Sequence, residues 1–393
     1  MKKIRKKLIA LLTAVILLML ILPTVGEAVY ADDDTDWDEI SFEAQNNYKI
    51  FDIDSGLPFL GYLAVTQTPD GFIYTGGYGG LVRYDGKKFE RISGIESVVS
   101  LCVTKDDGLW IGTNVGVLVN LSANDTMTYY SKEEGLDVVS VRAICTDAAD
   151  NLVIGTDQGV YVMDNAGAFR LLDDDRLKQC YVNQMNSGAD GVIYGSDYDG
   201  NVFVIRDLKV EYFFNVSEIG KSAQTVSEDP LREGYIYIGT TGSELLHGSL
   251  SQPIDSFEII STPGLLNINA IVYKDDRLWL CSDGGVGFID KNRNYTKLSD
   301  TAFNSGVAMC ADYEGNLWFA SSRNGLIRIS TSDFADLNQM TRDLNDRVVN
   351  TTWMEDDLLY VSTDTGLLIL NSKGEIVEKA CLLLSEKHAD PRH

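Results

Sequence analysis

The stretch "DDGLWIGTNVGVL", residues 106–118, holds a turn, an aromatic residue, glycines two and six residues after it, and an apolar run. Its first half recurs as "EGNLWFAS" at 314–321 and, more loosely, as "DDRLWLCS" at 275–282. Aligning the aromatic or apolar anchor gives Tyr74, Trp110, Val153, Ile193, Tyr237, Trp279, Trp318 and Tyr360, at intervals of 36 to 44 residues. A small residue follows each anchor by two: Gly76, Gly112, Gly155, Gly195, Gly239, Cys281, Ala320 and Ser362. A repeat of about 40 residues is the length of a four-stranded propeller blade.

The second copy reads as strands throughout. "VVSLCVT" (98–104) is rich in β-branched residues, "KDDG" (105–108) is a turn, "LWIGT" (109–113) is a second strand and "VLVNL" (117–121) a third, with "TYYS" (128–131) outside them. The bulky anchor is expected to fill the wedge between neighbouring blades. The small residue two places on is expected where those blades converge. No helical periodicity of useful length follows residue 31. The expected fold is therefore all-β, a propeller of seven or eight four-stranded blades preceded by an N-terminal signal helix.

The ends qualify this picture. Lys2 to Lys7 form a basic cluster, Leu8 to Leu22 an apolar run, and Val29-Tyr30-Ala31 a plausible cut, which together read as a secretory signal peptide over 1–31. Residues 32–46 read as an acidic linker, 47–380 as about eight repeats and 381–393 as an irregular tail. "NYKIFDIDSGLP" (47–58) looks like an outer strand lacking its own blade, and it is expected to complete the last blade and close the ring. Eight anchors suit eight blades, or seven with one copy to spare; the abrupt tail favours the second.

Composition narrows the function. The formal charge of −25 offers no basic patch for phosphates, so nucleic acid is not expected as a partner. Cys102, Cys145 and Cys310 fall at one place in three repeats, which keeps them apart and suggests buried thiols rather than disulfides. No cysteine–histidine spacing resembles a zinc site, "DYDGN" (197–201) lacks the full set of calcium-loop oxygens, and no phosphate loop or dinucleotide fingerprint occurs. No cofactor, metal or catalytic residue is expected.

The quoted motifs, with "EGNLWFASSRNGLIRIS" (314–330) and "DSGLP" (54–58), resemble the two-component regulator propeller repeat over roughly 47–380. That resemblance implies an extracytoplasmic, non-catalytic sensor of a membrane regulator whose output is a hybrid histidine kinase or a diguanylate cyclase. The sequence departs from the pattern in having no second hydrophobic span after residue 31 and no kinase or cyclase motif. A fragment of a longer sensor, a membrane signalling partner that carries the output, or a secreted protein-binding scaffold are the alternatives.

In a propeller the connections between second and third strands share a face with the links between blades. Here those connections bring Tyr78, Asp157, Asp197, Tyr198, Asp283, Arg323 and Asn324 to one ring. Tyrosine faces and polar groups of this kind suit a small hydroxyl-rich ligand such as an oligosaccharide. Asp, Asn, Ser and Thr are also ordinary turn formers; Tyr78, Tyr198 and Arg323 are the ones a turn does not need.

Overall fold

The computed structural model describes residues 47–330 and 349–381, apart from 106–107, 165, 299, 356–357, 364–365 and 372–375. The signal-peptide and linker readings for 1–46 and the tail beyond 381 lie outside the described residues. The chain divides into two units, one spanning Ala44–Asp336 and the other holding the sheet near the C-terminus.

The first unit is a ring of seven four-stranded antiparallel sheets. Blade 2 shows the plan, with strands Val98–Val103, Leu109–Thr113, Leu118–Leu121 and Met127–Tyr130 running from the axis outward. The innermost strands of the seven blades are Ala64–Gln67, Val98–Val103, Val141–Thr146, Val182–Ser187, Ala223–Glu228, Ile268–Lys274 and Gly306–Ala311. Blade 7 takes its outermost strand from the start of the chain: Asn47–Phe51 pairs antiparallel with Gly325–Ser330, Asn47 opposite Ser330. The early strand therefore closes the ring on the seventh repeat, one repeat before the last anchor.

The second unit, described by itself, is a four-stranded sheet of Val349–Glu355, Leu358–Thr363, Gly366–Leu370 and Ile376–Cys381. It contains the eighth anchor, Tyr360, stacked on Trp353 at 5.2 Å.

The anchors sit between blades as the repeat implies. Trp110 packs with Leu152 and Ile154 of the next blade, and Trp279 and Trp318 are fully buried. In blades 1 to 3 the small residue beside the anchor faces the head of the next inner strand. A side-chain carbon added at Gly76 would fall onto Val98, one at Gly112 onto Val141, and one at Gly155 onto Val182. Close approach of blades near the axis leaves no room for it.

Blade 4 departs from the sequence alignment by one residue. Val182 pairs with Asp197, just as Val141 pairs with Thr156 and Val98 with Thr113. The structural anchor is thus Tyr194, which packs into the seam with Ile236 and Ile238 of blade 5, and not Ile193, which faces back toward Val153 of blade 3. A slip of one residue exchanges the two faces of a strand. Ser196, not Gly195, meets the next blade, and its hydroxyl donates to the Gln224 carbonyl at 2.8 Å.

The five cysteines whose side chains are described, Cys102, Cys145, Cys180, Cys281 and Cys310, are free thiols. Burial pushes Cys102, Cys281 and Cys310 up to about 12. These groups are packing elements, protonated at any ordinary pH.

Candidate ligand site

Each of the six inner strands from blade 2 to blade 7 carries a register shift at its second residue. An extra residue in one strand leaves that residue out of the ladder and re-aims it. The residues concerned are Val99, Arg142, Asn183, Gln224, Asn269 and Val307, and with Leu63 of blade 1 they line an axial cavity of about 380 Å³.

The ring of these seven residues has two arcs. Blades 7, 1 and 2 contribute Val307, Leu63 and Val99, while blades 3 to 6 contribute Arg142, Asn183, Gln224 and Asn269. The amides of the polar arc are tied together across blades. Asn183 Nδ2 donates to the main-chain carbonyl of Gln224 at 2.8 Å, Gln224 Nε2 to Asn269 Oδ1 at 3.1 Å, and Asn269 Nδ2 to Asp283 Oδ1 at 2.9 Å. Such a chain fixes the amide orientations before any ligand arrives.

Arg142 is the only charged side chain lining the cavity among the described residues. Its guanidinium lies 5.3 Å from the centre of the Tyr181 ring, and Tyr181 in turn lies 5.2 Å from Tyr198. Tyr181 sits in the link between blades 3 and 4, so Arg142 leans toward the mouth on that side.

The links between blades and the second-to-third strand connections share that face, joined by main-chain bonds such as Ser97 N to the Tyr78 carbonyl, Tyr198 N to the Tyr181 carbonyl and Asp283 N to the Leu266 carbonyl. The seven sequence candidates divide on it. Asp157 Oδ1 accepts from the main-chain N–H groups of Val139 at 2.9 Å and Ser140 at 2.8 Å, so it fastens the link into its own blade. Asp283 accepts from Asn267 and Asn269, and Asn324 donates to the carbonyls of Ala302 and Asn304.

Asp197 is not at a loop tip. It ends a strand at 4% exposure and accepts from Asn201 through both the main-chain N–H, at 2.9 Å, and Nδ2, at 2.7 Å. It holds the place where Thr113 and Thr156 bond their own hairpins, each donating to a carbonyl at 2.7 Å. Burial raises its carboxyl above the usual value, with the Asn201 bonds pulling the other way.

Tyr78, Tyr198 and Arg323 differ from these four. Tyr78 is 64% exposed and lines the cavity, Tyr198 is 71% exposed, and Arg323 is also exposed. The sequence reading missed Arg142, Asn183, Gln224, Asn269 and Tyr181. The available signal was a column of unlike residues directly after the first residue of each inner strand.

A closed ring of radially arranged four-stranded sheets around an axial cavity defines a seven-bladed β-propeller. Known structures share the fold. The extracellular domain of BT3049 from B. thetaiotaomicron, described as a hybrid two component system, matches with a TM-score of 0.64 at 20% identity over 86% of this chain and 50% of that one. The extracellular domain of BT4673 from the same organism, described likewise, matches with a TM-score of 0.60 at 17% identity over 83% and 45%. Virginiamycin B lyase from Staphylococcus aureus matches with a TM-score of 0.59 at 12% identity over 72% and 98%. This chain spans half or less of the two extracellular domains. No family model matches the sequence, and no curated protein does. At these identities the likeness is one of fold.

Proposed function

We propose that this chain is a non-catalytic, extracytoplasmic ligand-sensing propeller of a membrane signalling system, of the two-component or cyclic-dinucleotide type, with its ligand at the linker-face mouth of the axial cavity. The observation that carries this reading is a cavity lined by oriented amides and by exposed Tyr78, with Arg142 on its wall set against the exposed Tyr181–Tyr198 pair. Ligand sites are concave and mostly apolar, with a few convergent polar groups. The repeat motif and the likeness to two extracellular domains of hybrid two component systems support a sensor.

Val115, Val139 and Leu266 are exposed apolar side chains on the same face, and they favour a protein-binding scaffold as the second reading. A glycan array and a small-metabolite thermal-shift panel, run on residues 32–393, separate the two. Saturable binding lost in Tyr78→Ala and Tyr198→Ala supports sensing. No binding, together with a gene that ends in a stop codon beside no output gene, supports the scaffold.

A further inference from the structure

Building on the sensing reading, we propose that the axial cavity takes a small amphipathic carboxylate bearing a hydrogen-bond donor next to its carboxyl group, with Arg142 as the carboxylate partner. Arg142 has no carboxylate partner among the described residues, and no Asp or Glu lines the cavity. Its Nε is buried and makes no hydrogen bond. A buried donor without a partner is costly, and the cost is larger for a charged group. A carboxylate entering the cavity meets the terminal nitrogens of the guanidinium in a charge-assisted pair, while Nε stays shielded behind them. In a chain of net charge −25, a cation on the cavity wall with an aromatic neighbour but no carboxylate partner is a specific feature, because the rest of the surface repels anions.

The neighbouring amides define the rest of the ligand. Asn269 is fully engaged, its oxygen accepting from Gln224 and its nitrogen donating to Asp283 and Gly306. Asn183 and Gln224 each use their nitrogen, which leaves Asn183 Oδ1 and Gln224 Oε1 as acceptors lining the cavity. Two acceptors in the blades directly after Arg142 suit a hydroxyl or ammonium donor beside the carboxylate. Across the axis, Leu63, Val99 and Val307 offer an apolar wall for the remainder of the molecule. The acids sharing the mouth do not compete for Arg142, since Asp157 and Asp283 are held by their own donors.

The test is isothermal titration of residues 32–393 with 3-phenyllactate, and with 3-phenyllactamide as a neutral probe of the same shape. The expected result is saturable binding of the acid, at least about tenfold weaker binding of the amide, loss of the difference in Arg142→Gln, and its partial retention in Arg142→Lys. Thermal melts confirm that each variant is folded; if the glutamine one is not, the parent's acid–amide difference and the lysine variant carry the test. Equal binding of acid and amide, binding of the acid unchanged in Arg142→Gln, or no binding of either overturns the proposal. A neutral glycan that binds Arg142→Gln as well as the parent chain overturns the carboxylate assignment while leaving the sensing reading intact.

Discussion

Cys281 and Gly306 are complementary across the seam between blades 6 and 7: a side-chain carbon placed on Gly306 would fall 2.5 Å from the Cys281 sulfur. In the seams after blades 1 to 3 the relation is reversed, glycine standing opposite Val98, Val141 or Val182. The seams pair a small residue with a bulkier one and differ in which blade supplies the bulk.

This exchange makes a double substitution informative. Gly306→Val alone is expected to cost about 1–3 kcal/mol through overpacking, and Cys281→Gly should recover part of that loss. Gly306 is not in the left-handed backbone region, so the effect is one of space alone. Urea unfolding of the two single variants and the pair checks it; strictly additive losses would refute the complementarity.

Closure of the ring should be visible as stability. Phe51 is 2% exposed and stacks on Trp318 at 5.5 Å while touching Tyr84 and Phe89 of blade 1 at 5.4 Å each. It joins the last blade to the first. Phe51→Ala is expected to lose about 3–5 kcal/mol, read as a lower urea midpoint. A loss under about 1 kcal/mol would mean that the strand is a dispensable attachment.

The linker face should separate into fasteners and free side chains. Asp157→Ala removes the acceptor of two main-chain N–H groups and is expected to cost about 1–3 kcal/mol. Tyr78→Ala and Tyr198→Ala are expected to stay within about 0.5 kcal/mol of the parent, while altering ligand binding. Thermal unfolding of the three variants measures the contrast.

Asp197 gives a pH-dependent prediction. Its folded carboxyl is raised above the ordinary value of 3.8, so the protonated form is favoured on folding. Its contribution is full below that value and falls away as the pH rises through the folded value. Asp197→Thr, which places there the residue of blades 2, 3 and 5, removes that dependence. The stability difference, variant minus parent, should therefore shift in favour of the variant between pH 4 and pH 7, as followed by urea unfolding at both. A difference independent of pH would show that Asp197 titrates normally.

The sequence made the blades legible because each repeats a bulky residue, a small one and a turn in fixed order, and close packing at the seams enforces that order. It misplaced the anchor in blade 4 because Ile193 and Tyr194 are both apolar, and Gly195 stands two residues after the first of them. Pairing with the preceding strand, which a linear reading does not see, decides between the two faces. The same slip moved Asp197 from the end of a strand to a loop tip. Tyr78 and Tyr198 stood out because turns do not require them. Arg142, Asn183 and Gln224 escaped notice because a bulge re-aims a residue without changing the local pattern of residue types. In a regular strand those positions would face a seam.

The register that sets Asn47 beside Ser330 has a topological consequence. Chain enters and leaves the ring at one point, on adjacent antiparallel strands whose Cα atoms are about 4.5–5.5 Å apart. The whole wheel is thus a cassette hung from a single stem, and splicing it into a host polypeptide would leave the flanking host segments side by side.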